Sequence, residues 1–308
     1  MKTRRIGSLE VSIVGLGCNN FGGRLAADAT AAVVNAALDA GITLFDTADI
    51  YGNTQSEVLL GKALGARRDG IVLATKFGHA ASGLTGGATY AYVKSACEAS
   101  LERLGTDRID LYQLHTPDPE TPIAATLAAL AELVHEGKVI EIGCSNFTVA
   151  QLREAAAAVA PGTAGFASVQ NELSLLHQDG QAAVLAECAH ENVGYLPYFP
   201  LASGMLTGKY LGAGAATATG RLASGGKLAD QYRSPENVAR VERLAAHAEA
   251  NGHTLLELAF GWLLAHGPVA SVIAGATTAD QVRANVAAAG WDLAADPDAM
   301  ATIARLAP

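Results

Sequence analysis

The chain has 308 residues, which is enough for one large domain or two ordinary ones and for a sizeable buried core. Half of the residues are hydrophobic and the net charge is −9, without a run of Lys or Arg, so a nucleic-acid partner is not expected. The four cysteines stand far apart and form no CxxC pair, which argues against a zinc site and a disulfide framework.

The first residues are basic, but Ser8, Glu10 and Ser12 interrupt the apolar stretch that a signal peptide needs. We therefore expect a cytoplasmic protein. Residues 258–279 contain no charged side chain and approach the roughly 20 residues of a membrane helix. Gly267-Pro268 divides this segment, so a helix end, a turn and a buried strand are favoured, and no membrane association is expected.

Along the chain, short apolar runs alternate with Ala-rich amphipathic stretches about eight times, which is typical of repeated strand–helix units. A short hairpin that turns at Gly7 and Ser8 is predicted first, where it could close one end of the fold. The predicted strands then follow at residues 12–17, 43–48, 71–78, 109–115, 139–146, 167–174, 193–201 and 271–276. The predicted helices between them include residues 27–40, 56–64, 90–104, 121–135, 149–158, 181–191 and 236–250.

This pattern predicts an α/β fold of the (β/α)₈ TIM-barrel class, a single domain over residues 1–308 with an N-terminal β-hairpin and long loops at the C-terminal face. The alternative is an open, doubly wound sheet that binds a dinucleotide at a Gly-rich first turn. The glycines of "GLGCNNFGG" do not match GxGxxG, and no acidic residue about 20 positions later takes the expected role. The barrel is therefore preferred.

Four ionisable residues stand at or just behind predicted strand ends, where barrel enzymes carry their catalytic groups. Asp46 ends the second strand with Tyr51 behind it, Lys76 ends the third strand, and His115 ends the fourth. Each alone could be an ordinary cap, packing or surface residue. Lys76, however, lies in the apolar run "LATKFG", where an unpaired ammonium would be costly, and Asp46 is its natural partner.

The four side chains together suggest proton transfer at a carbonyl oxygen. A tyrosine hydroxyl with a pKa near ~10 is a poor acid, but an adjacent ammonium favours the phenolate and lowers that pKa. We expect Lys76 to lower the pKa of Tyr51 in this way, with Asp46 keeping Lys76 protonated. His115 would orient the substrate oxygen or share the proton.

Around these residues, the sequence resembles the aldo-keto reductase family over essentially its whole length. The resemblance is carried by "GITLFDTADIYGNTQSEVLLGKAL", "LATKFG", "SLERLGTDRIDLYQLHTPDP", "GKVIEIGCSN", "PYFPLASGMLTGKY" and "IAGATTADQVRAN". It implies a (β/α)₈ barrel that reversibly reduces an aldehyde or ketone to an alcohol with a nicotinamide cofactor. The family's catalytic Asp, Tyr, Lys and His fall on Asp46, Tyr51, Lys76 and His115.

The resemblance also implies NADP(H), with NAD(H) possible, bound in an extended form across the barrel mouth. In the family, residues matching Ser145, Asn146 and Gln170 hold the nicotinamide amide, and the aromatic matching Tyr198 stacks on the ring. The stretch 200–210 matches the part that meets the pyrophosphate, although an ordinary Gly-rich loop is the alternative. The predicted cofactor residues are Ser145, Asn146, Gln170, Tyr198, Leu201, Ser203, Gly204, Lys209, Gly275, Thr277, Gln281 and Asn285.

The residues that follow are rich in Gly and Ala and poorly periodic, and both ends of the segment return to the barrel. This predicts a loop over residues 203–234 that covers the cofactor. Asn20, Phe21, His79 and Phe147 are predicted to lie near the substrate pocket. The substrate would be a small carbonyl compound or alcohol, whose identity the sequence leaves open.

Two other functions are weighed against this one. The first is a cofactor-binding regulatory subunit with incidental reductase activity, against which stand the complete catalytic set and a barrel that begins almost at once. The second is a metal-dependent hydrolase, for which only Asp46 and His115 could serve as ligands, with Lys76 repelling a cation. No metal and no obligate protein partner are expected.

The choice of nicotinamide depends on the residues after the eighth strand. NADP(H) carries a 2′-phosphate, which Lys or Arg side chains usually bind. Gln281 stands where many relatives have arginine, so Arg283 is the only cation nearby in sequence, and it could instead point into solvent. A helix that starts at Thr278 offers free backbone amides for a phosphate. We therefore predict NADP(H), with a weaker preference than usual and real use of NAD(H).

Overall fold

The computed structural model describes residues 1–79, 87–212, 220–223 and 225–307. The chain opens with the antiparallel hairpin β1 (Thr3–Ile6) and β2 (Leu9–Ser12), as predicted. Gly7 turns the hairpin with φ +55°, and the Ser8 amide and hydroxyl donate to Glu141 Oε1 at 2.7 and 2.6 Å. These bonds tie the hairpin to the barrel.

Within the described ranges, eight parallel strands form one sheet in the order β10-β3-β4-β5-β6-β7-β8-β9. The sheet closes where the Tyr195 amide donates to the Pro268 carbonyl and the Ala270 amide donates to the Tyr195 carbonyl. The predicted (β/α)₈ barrel is therefore confirmed. Its strands are β3 (Val14–Gly17), β4 (Leu44–Asp46), β5 (Val72–Phe77), β6 (Ile109–Leu114), β7 (Val139–Ser145), β8 (Phe166–Glu172), β9 (Gly194–Tyr198) and β10 (Val272–Gly275).

Helices follow the strands and form the outer layer. They are α1 (Ala27–Asp39), α2 (Gln55–Leu64), α3 (Tyr90–Leu104), α4 (Ile123–His135), α5 (Val149–Ala157), α6 (Gln181–Glu191), α7 (Lys227–Tyr232), α8 (Pro235–Ala250), α9 (Leu255–Leu264), α10 (Ala279–Ala288) and α11 (Pro297–Leu306). Short 3-10 helices span Gly65–Gly70, Ala202–Thr207 and Leu293–Ala295. The seven predicted helices agree with the structure to within about two residues at each end.

The uncharged segment 258–279 is divided as predicted into the end of α9, a turn at Gly267-Pro268 and strand β10. The sequence prediction did not mark the start of α9, although Thr254 and Glu257 form a capping box there. No helix in the described part of the chain is both long and apolar enough to cross a membrane. The cytoplasmic location stays a prediction.

The core has two parts that together position the site. One part lies between the barrel and its helices, and the other fills the barrel with side chains such as Leu44, Leu111 and Leu196. Ile6, Leu9 and Val11 of the hairpin pack into this second part, so the hairpin plugs the barrel as the sequence suggested. The layer at the C-terminal end of the barrel is polar instead, and its side chains come from alternate strands. That layer includes Asp46, Gln113 and Gln170.

Candidate active site

A buried ion pair joins the ends of two neighbouring strands. Lys76 Nζ donates to Asp46 Oδ2 at 2.6 Å and to the Thr47 carbonyl at 2.9 Å, and the lysine is completely buried. Burial by itself lowers the pKa of Lys76, but the Asp46 carboxylate and the Tyr51 oxygen outweigh it and raise that pKa. Lys76 is therefore an ammonium at neutral pH.

Two amides complete the surroundings of Asp46. Gln170 Nε2 donates to Asp46 Oδ1 at 3.0 Å, and Gln113 Nε2 donates to the same oxygen at 3.3 Å. Gln113 is fully buried on β6, and sequence reasoning missed it. The sequence did contain a signal for Gln113. It stands two positions before His115, and side chains two positions apart in a strand face the same side.

Tyr51 stands in the loop after β4 and is partly exposed, and the centre of its ring lies 5.3 Å from Lys76 Nζ. The Lys76 ammonium lowers the pKa of Tyr51 as expected, but burial is the larger effect and raises that pKa above its ordinary value. The prediction that the pKa of Tyr51 is lowered overall is therefore wrong. The phenol keeps its proton at neutral pH, as a proton donor must.

His115 follows β6 and lies beside Tyr51, with ring centroids 5.8 Å apart in an edge-on arrangement. Burial, and next the Lys76 ammonium and His79, lower the pKa of His115 to about 2. The imidazole is consequently neutral over the whole physiological range, so it offers one N–H donor and one acceptor. Among the described residues, its Nδ1 atom has no hydrogen-bond partner.

A cavity of about 900 Å³ opens above this cluster at the C-terminal end of the barrel. Of the four predicted catalytic residues, Asp46, Tyr51 and His115 line it, while Lys76 lies buried beside them. Most of the other predicted residues also line it, namely Asn20, His79, Ser145, Asn146, Gln170, Tyr198, Leu201, Ser203, Gly204, Lys209, Gly275, Thr277, Gln281 and Asn285.

Two predicted substrate-pocket residues do not line this cavity. Phe21 is completely buried in the core between barrel and helices, in the turn that the Phe21 amide closes on the Cys18 carbonyl. Phe147 follows Asn146, whose left-handed backbone (φ +63°) redirects the chain, and its ring packs edge-on against Phe166. Both side chains turn into the core next to residues that line the cavity, and their place near a substrate stays a prediction.

The predicted amide-holding residues are hydrogen-bonded to one another. Ser145 Oγ donates to the Gln170 carbonyl at 2.7 Å. Asn146 Nδ2 donates to the His115 carbonyl at 2.9 Å, and Asn146 Oδ1 accepts from the Tyr198 hydroxyl at 2.8 Å. This network fixes the ends of β6, β7, β8 and β9 relative to one another, and it holds the Tyr198 ring at the cavity wall.

The loop after β9 contains three consecutive residues with a left-handed backbone. Ala202, Ser203 and Gly204 have φ values of +46°, +57° and +98°, which is a strained conformation for the two non-glycine residues. Ser203 Oγ is shielded from solvent without a partner among the described residues. Lys209 lies against this loop, since a methyl group on Gly204 would contact its Nζ at 3.2 Å. The unpaired hydroxyl, the backbone curvature and the ammonium fit a diphosphate.

Beyond this loop, the cavity reaches the start of α10. Gln281 Oε1 accepts from the Thr277 amide at 2.8 Å, and Thr278 caps the helix by accepting from the Gln281 amide. Arg283 is exposed and pairs with Asp280 at 2.6 Å, and it does not line the cavity. The cations that do line it are Arg24, Lys209 and Arg221, of which the sequence prediction had named only Lys209.

One further buried carboxyl, Asp49, lies in the loop between β4 and Tyr51. It is 4% exposed, and neither oxygen has a partner among the described residues. Burial, and next the Glu57 carboxylate, raise its pKa from 3.8 to about 6. Between pH 3.8 and about pH 6, the Asp49 carboxyl is protonated in the folded protein but ionised in the unfolded chain. Asp49 therefore lowers stability progressively as pH rises through this interval, and the full cost remains above about pH 6.

We predict that Asp49→Asn raises the free energy of unfolding by about 1–3 kcal/mol near neutral pH, because it removes a poorly solvated charge. The gain should shrink towards ~pH 4, where the native carboxyl is already protonated. Urea unfolding at several pH values measures this, with exposed Asp39→Asn as the matched control. A gain that does not change with pH would show that the Asp49 charge is not its cause.

Comparisons with known proteins agree with this fold and cavity. The sequence model of the Aldo/keto reductase family matches residues 13–307. A probable aldo-keto reductase 1 of Glycine max is 35% identical over 287 residues, covering 91% of this chain and 81% of the relative. A solved aldo-keto reductase of Bacillus halodurans, in its holo form, is 32% identical with a TM-score of 0.81, covering 100% of this chain and 97% of that one.

Together with the barrel fold, these comparisons place the protein in a class of barrel oxidoreductases. The chain belongs to the aldo/keto reductase family. This membership supports, in general terms, an oxidoreductase activity on small carbonyl compounds.

Proposed function

We propose that this protein reversibly reduces an aldehyde or ketone to an alcohol, with NADP(H) as its preferred cofactor and Tyr51 as the general acid and base. One observation carries the proposal. A protonated phenol in the cavity wall lies beside a buried ammonium that is itself paired with Asp46, and a neutral His115 lies next to the phenol. A bound nicotinamide would supply the hydride, and the chain's own residues supply the proton and the geometry.

The proton comes from Tyr51 Oη in the direction of reduction. A carbonyl oxygen becomes basic as its carbon is reduced, and a positioned acid speeds this step by about 10²- to 10⁴-fold. When Tyr51 has given up this proton, the resulting phenolate is stabilised by the Lys76 ammonium, which Asp46 holds in place. In the direction of oxidation, the same pair makes Tyr51 the base.

His115 has a different part in this proposal. With its pKa near 2 it cannot serve as a cationic acid at neutral pH, so it acts as a neutral hydrogen-bond donor that orients the substrate oxygen towards Tyr51. Asn146 supports this position by donating to the His115 carbonyl.

We propose that the cofactor lies along the cavity from Tyr198 to α10. Ser145, Asn146 and Gln170 would hold its amide, and Tyr198 would stack on its ring. Leu201, Ser203, Gly204 and Lys209 would meet the diphosphate, while Gly275, Thr277, Gln281 and Asn285 would meet the adenosine end. All of them line the same cavity.

The whole chain is proposed to act as one domain, with residues 203–234 as the loop that covers the cofactor. Residues 213–219 and 224 of this loop lie outside the described residues. Support for the proposal comes from Gly220 and Arg221, which belong to this loop and line the cavity together with the predicted cofactor residues.

The cofactor preference yields a prediction. The described residues after β10 place no lysine or arginine in the cavity, and Asp280 adds a like charge in the first turn of α10. The 2′-phosphate would be held by the helix N-terminus and threonine hydroxyls alone. We therefore expect kcat/KM for NADPH to exceed that for NADH by roughly 10-fold or less. A preference for NADH, or one above about 1,000-fold for NADPH, would contradict this assignment.

The function itself is tested by turnover of a panel of aldehydes and ketones with NADPH and NADH. The proposal expects cofactor oxidation and alcohol formation in equal amounts. Cofactor binding in a titration without turnover of any carbonyl compound would instead favour a regulatory, cofactor-binding role.

A further inference from the structure

We propose that Gln113 is a positioning residue, which fixes the side-chain amide of Gln170 with its nitrogen towards Asp46 and its oxygen towards the cavity. The inference rests on the proposed function, because Gln170 is one of the residues proposed to hold the nicotinamide amide. Gln113 itself is completely buried and does not line the cavity. The inference is carried by a closed set of hydrogen bonds between three buried side chains.

These three side chains fix one another's orientation. Gln113 Nε2 and Gln170 Nε2 both donate to Asp46 Oδ1, at 3.3 and 3.0 Å. A carboxylate oxygen only accepts hydrogen bonds, so the nitrogen of each glutamine must face Asp46. Gln170 Nε2 also donates to Gln113 Oε1 at 3.4 Å. Both hydrogens of the Gln170 nitrogen are therefore used within the protein.

The oxygen of Gln170 is the atom of its amide that remains for a ligand. Gln170 lines the cavity, and no group in the described part of the chain donates to its Oε1 atom. An amide oxygen accepts hydrogen bonds and cannot donate them, so it matches an N–H group of the ligand. The carboxamide of a nicotinamide carries such a group.

The barrel lets Gln113 reach Gln170 across an intervening strand. Gln113 lies on β6 and Gln170 on β8, and Gly143 of β7 stands in register with Gln113. A Cβ atom at position 143 would come within 3.1 Å of Gln113 Cγ, which is closer than side chains normally pack. The glycine therefore leaves the space in which the two glutamines meet.

Gln113 adds a second point of attachment to the Gln170 amide. A single bond to Asp46 would let the amide turn about the line from Gln170 Nε2 to Asp46 Oδ1, and the bond to Gln113 Oε1 prevents this rotation. The backbone of Gln170 is fixed separately, because its carbonyl accepts from Ser145 Oγ and from the Asn146 amide. Gln113 thus determines the direction in which Gln170 Oε1 points.

A role in packing alone would have different consequences. Gln113 would then serve to fill the barrel and to solvate Asp46, and its replacement would change stability without changing which ligand binds better. The test must therefore measure a preference between two ligands that differ at the amide group.

Calorimetric titration with two oxidised dinucleotides measures this preference without turnover. The ligands are NADP⁺ and its 3-acetylpyridine analogue, which has a methyl group in place of the amide nitrogen. We expect wild-type protein to bind NADP⁺ at least about 5-fold more tightly, because the analogue leaves the Gln170 oxygen without a donor. Gln113→Met, which is similar in shape and lacks the amide, should reduce the preference to about 2-fold or less.

Two control variants separate positioning from packing. Gln113→Glu keeps an oxygen that can accept from Gln170 Nε2, so it should retain most of the preference. Leu111→Met changes an apolar side chain of the barrel interior on the same strand and should retain all of it. Urea unfolding of each variant measures the change in stability separately.

Other outcomes would overturn the inference. An unchanged preference in folded Gln113→Met would show that Gln113 acts through packing alone. If this variant does not fold, Gln113→Asn takes its place with the same expectation, because its shorter side chain draws the oxygen away from Gln170. Equal affinity of wild-type protein for the two dinucleotides would show that the Gln170 oxygen does not bind the amide.

Failure of the proposed function gives a different result. If the preference is as expected but no carbonyl compound is reduced, the reductase function is wrong and the role of Gln113 stands. If neither dinucleotide binds, both are wrong.

Discussion

Tyr51→Phe is expected to lower kcat by at least about 100-fold, because it keeps the ring and removes the only proton that the proposed mechanism delivers to the substrate oxygen. Affinity for the cofactor should remain nearly unchanged, since Tyr51 lies beside Lys76 and is not one of the residues proposed to hold the cofactor. Steady-state kinetics together with a cofactor-binding titration measure both quantities.

The matched control is Tyr90→Phe, which removes a hydroxyl from an exposed tyrosine at the start of α3. It should leave kcat as in the wild type. Near-full activity of the Tyr51 variant would rule out Tyr51 as the acid, whatever the control shows.

Lys76→Met should have two large effects, one on catalysis and one on folding. Loss of the ammonium removes the charge that stabilises the Tyr51 phenolate, so kcat should fall by about 100-fold or more. The Asp46 carboxylate, 3% exposed, is also left buried without its ion-pair partner. Breaking a buried pair in this way typically costs about 3–5 kcal/mol in the free energy of unfolding, which urea unfolding measures.

A second variant separates the two effects. Asp46→Asn combined with Lys76→Met removes both charges, so most of the lost stability should return while kcat stays as low as in Lys76→Met. Should the double variant be as unstable as Lys76→Met alone, the instability would come from packing of the lysine stem and not from the unpaired carboxylate.

Tyr51, Lys76 and Asp46, the residues changed in these variants, could be found from the sequence by physical rules. A lysine inside the apolar run of β5 requires a buried partner, and Asp46 at the end of the neighbouring strand β4 supplies the opposite charge. The barrel was equally accessible, because eight apolar runs separated by amphipathic stretches permit few other folds. Local patterning was sufficient for these features since each depends on strand period and strand ends.

Features that depend on tertiary position were not predicted. Arg221 follows a Gly- and Ala-rich stretch without a periodic pattern, so nothing local connects it to Asn19 and Asn20, about 200 residues earlier. Phe21 and Phe147 were placed at the pocket from sequence position alone, and backbone turns direct them into the core.

The net pKa shifts of Tyr51 and Asp49 could not be predicted from the sequence either. The effect of Lys76 on the pKa of Tyr51 has the expected sign, but the larger effect of burial depends on how closely the cavity wall surrounds the phenol. The raised pKa of Asp49 has the same origin, since no sequence pattern indicates that its carboxyl lacks a partner.

The central claim is that this protein joins a hydride from a nicotinamide to a carbonyl carbon while Tyr51 protonates the oxygen. Reduction of 4-formylbenzamide with NADPH that carries deuterium at the transferred position of its nicotinamide ring tests it directly. The account predicts 4-(hydroxymethyl)benzamide with a single deuterium on the former carbonyl carbon, formed in an amount equal to the cofactor oxidised. Tyr51→Phe should form this product at an initial rate at least about 100-fold lower at the same enzyme concentration. Alcohol without deuterium, or cofactor that binds while no alcohol forms, would contradict the account.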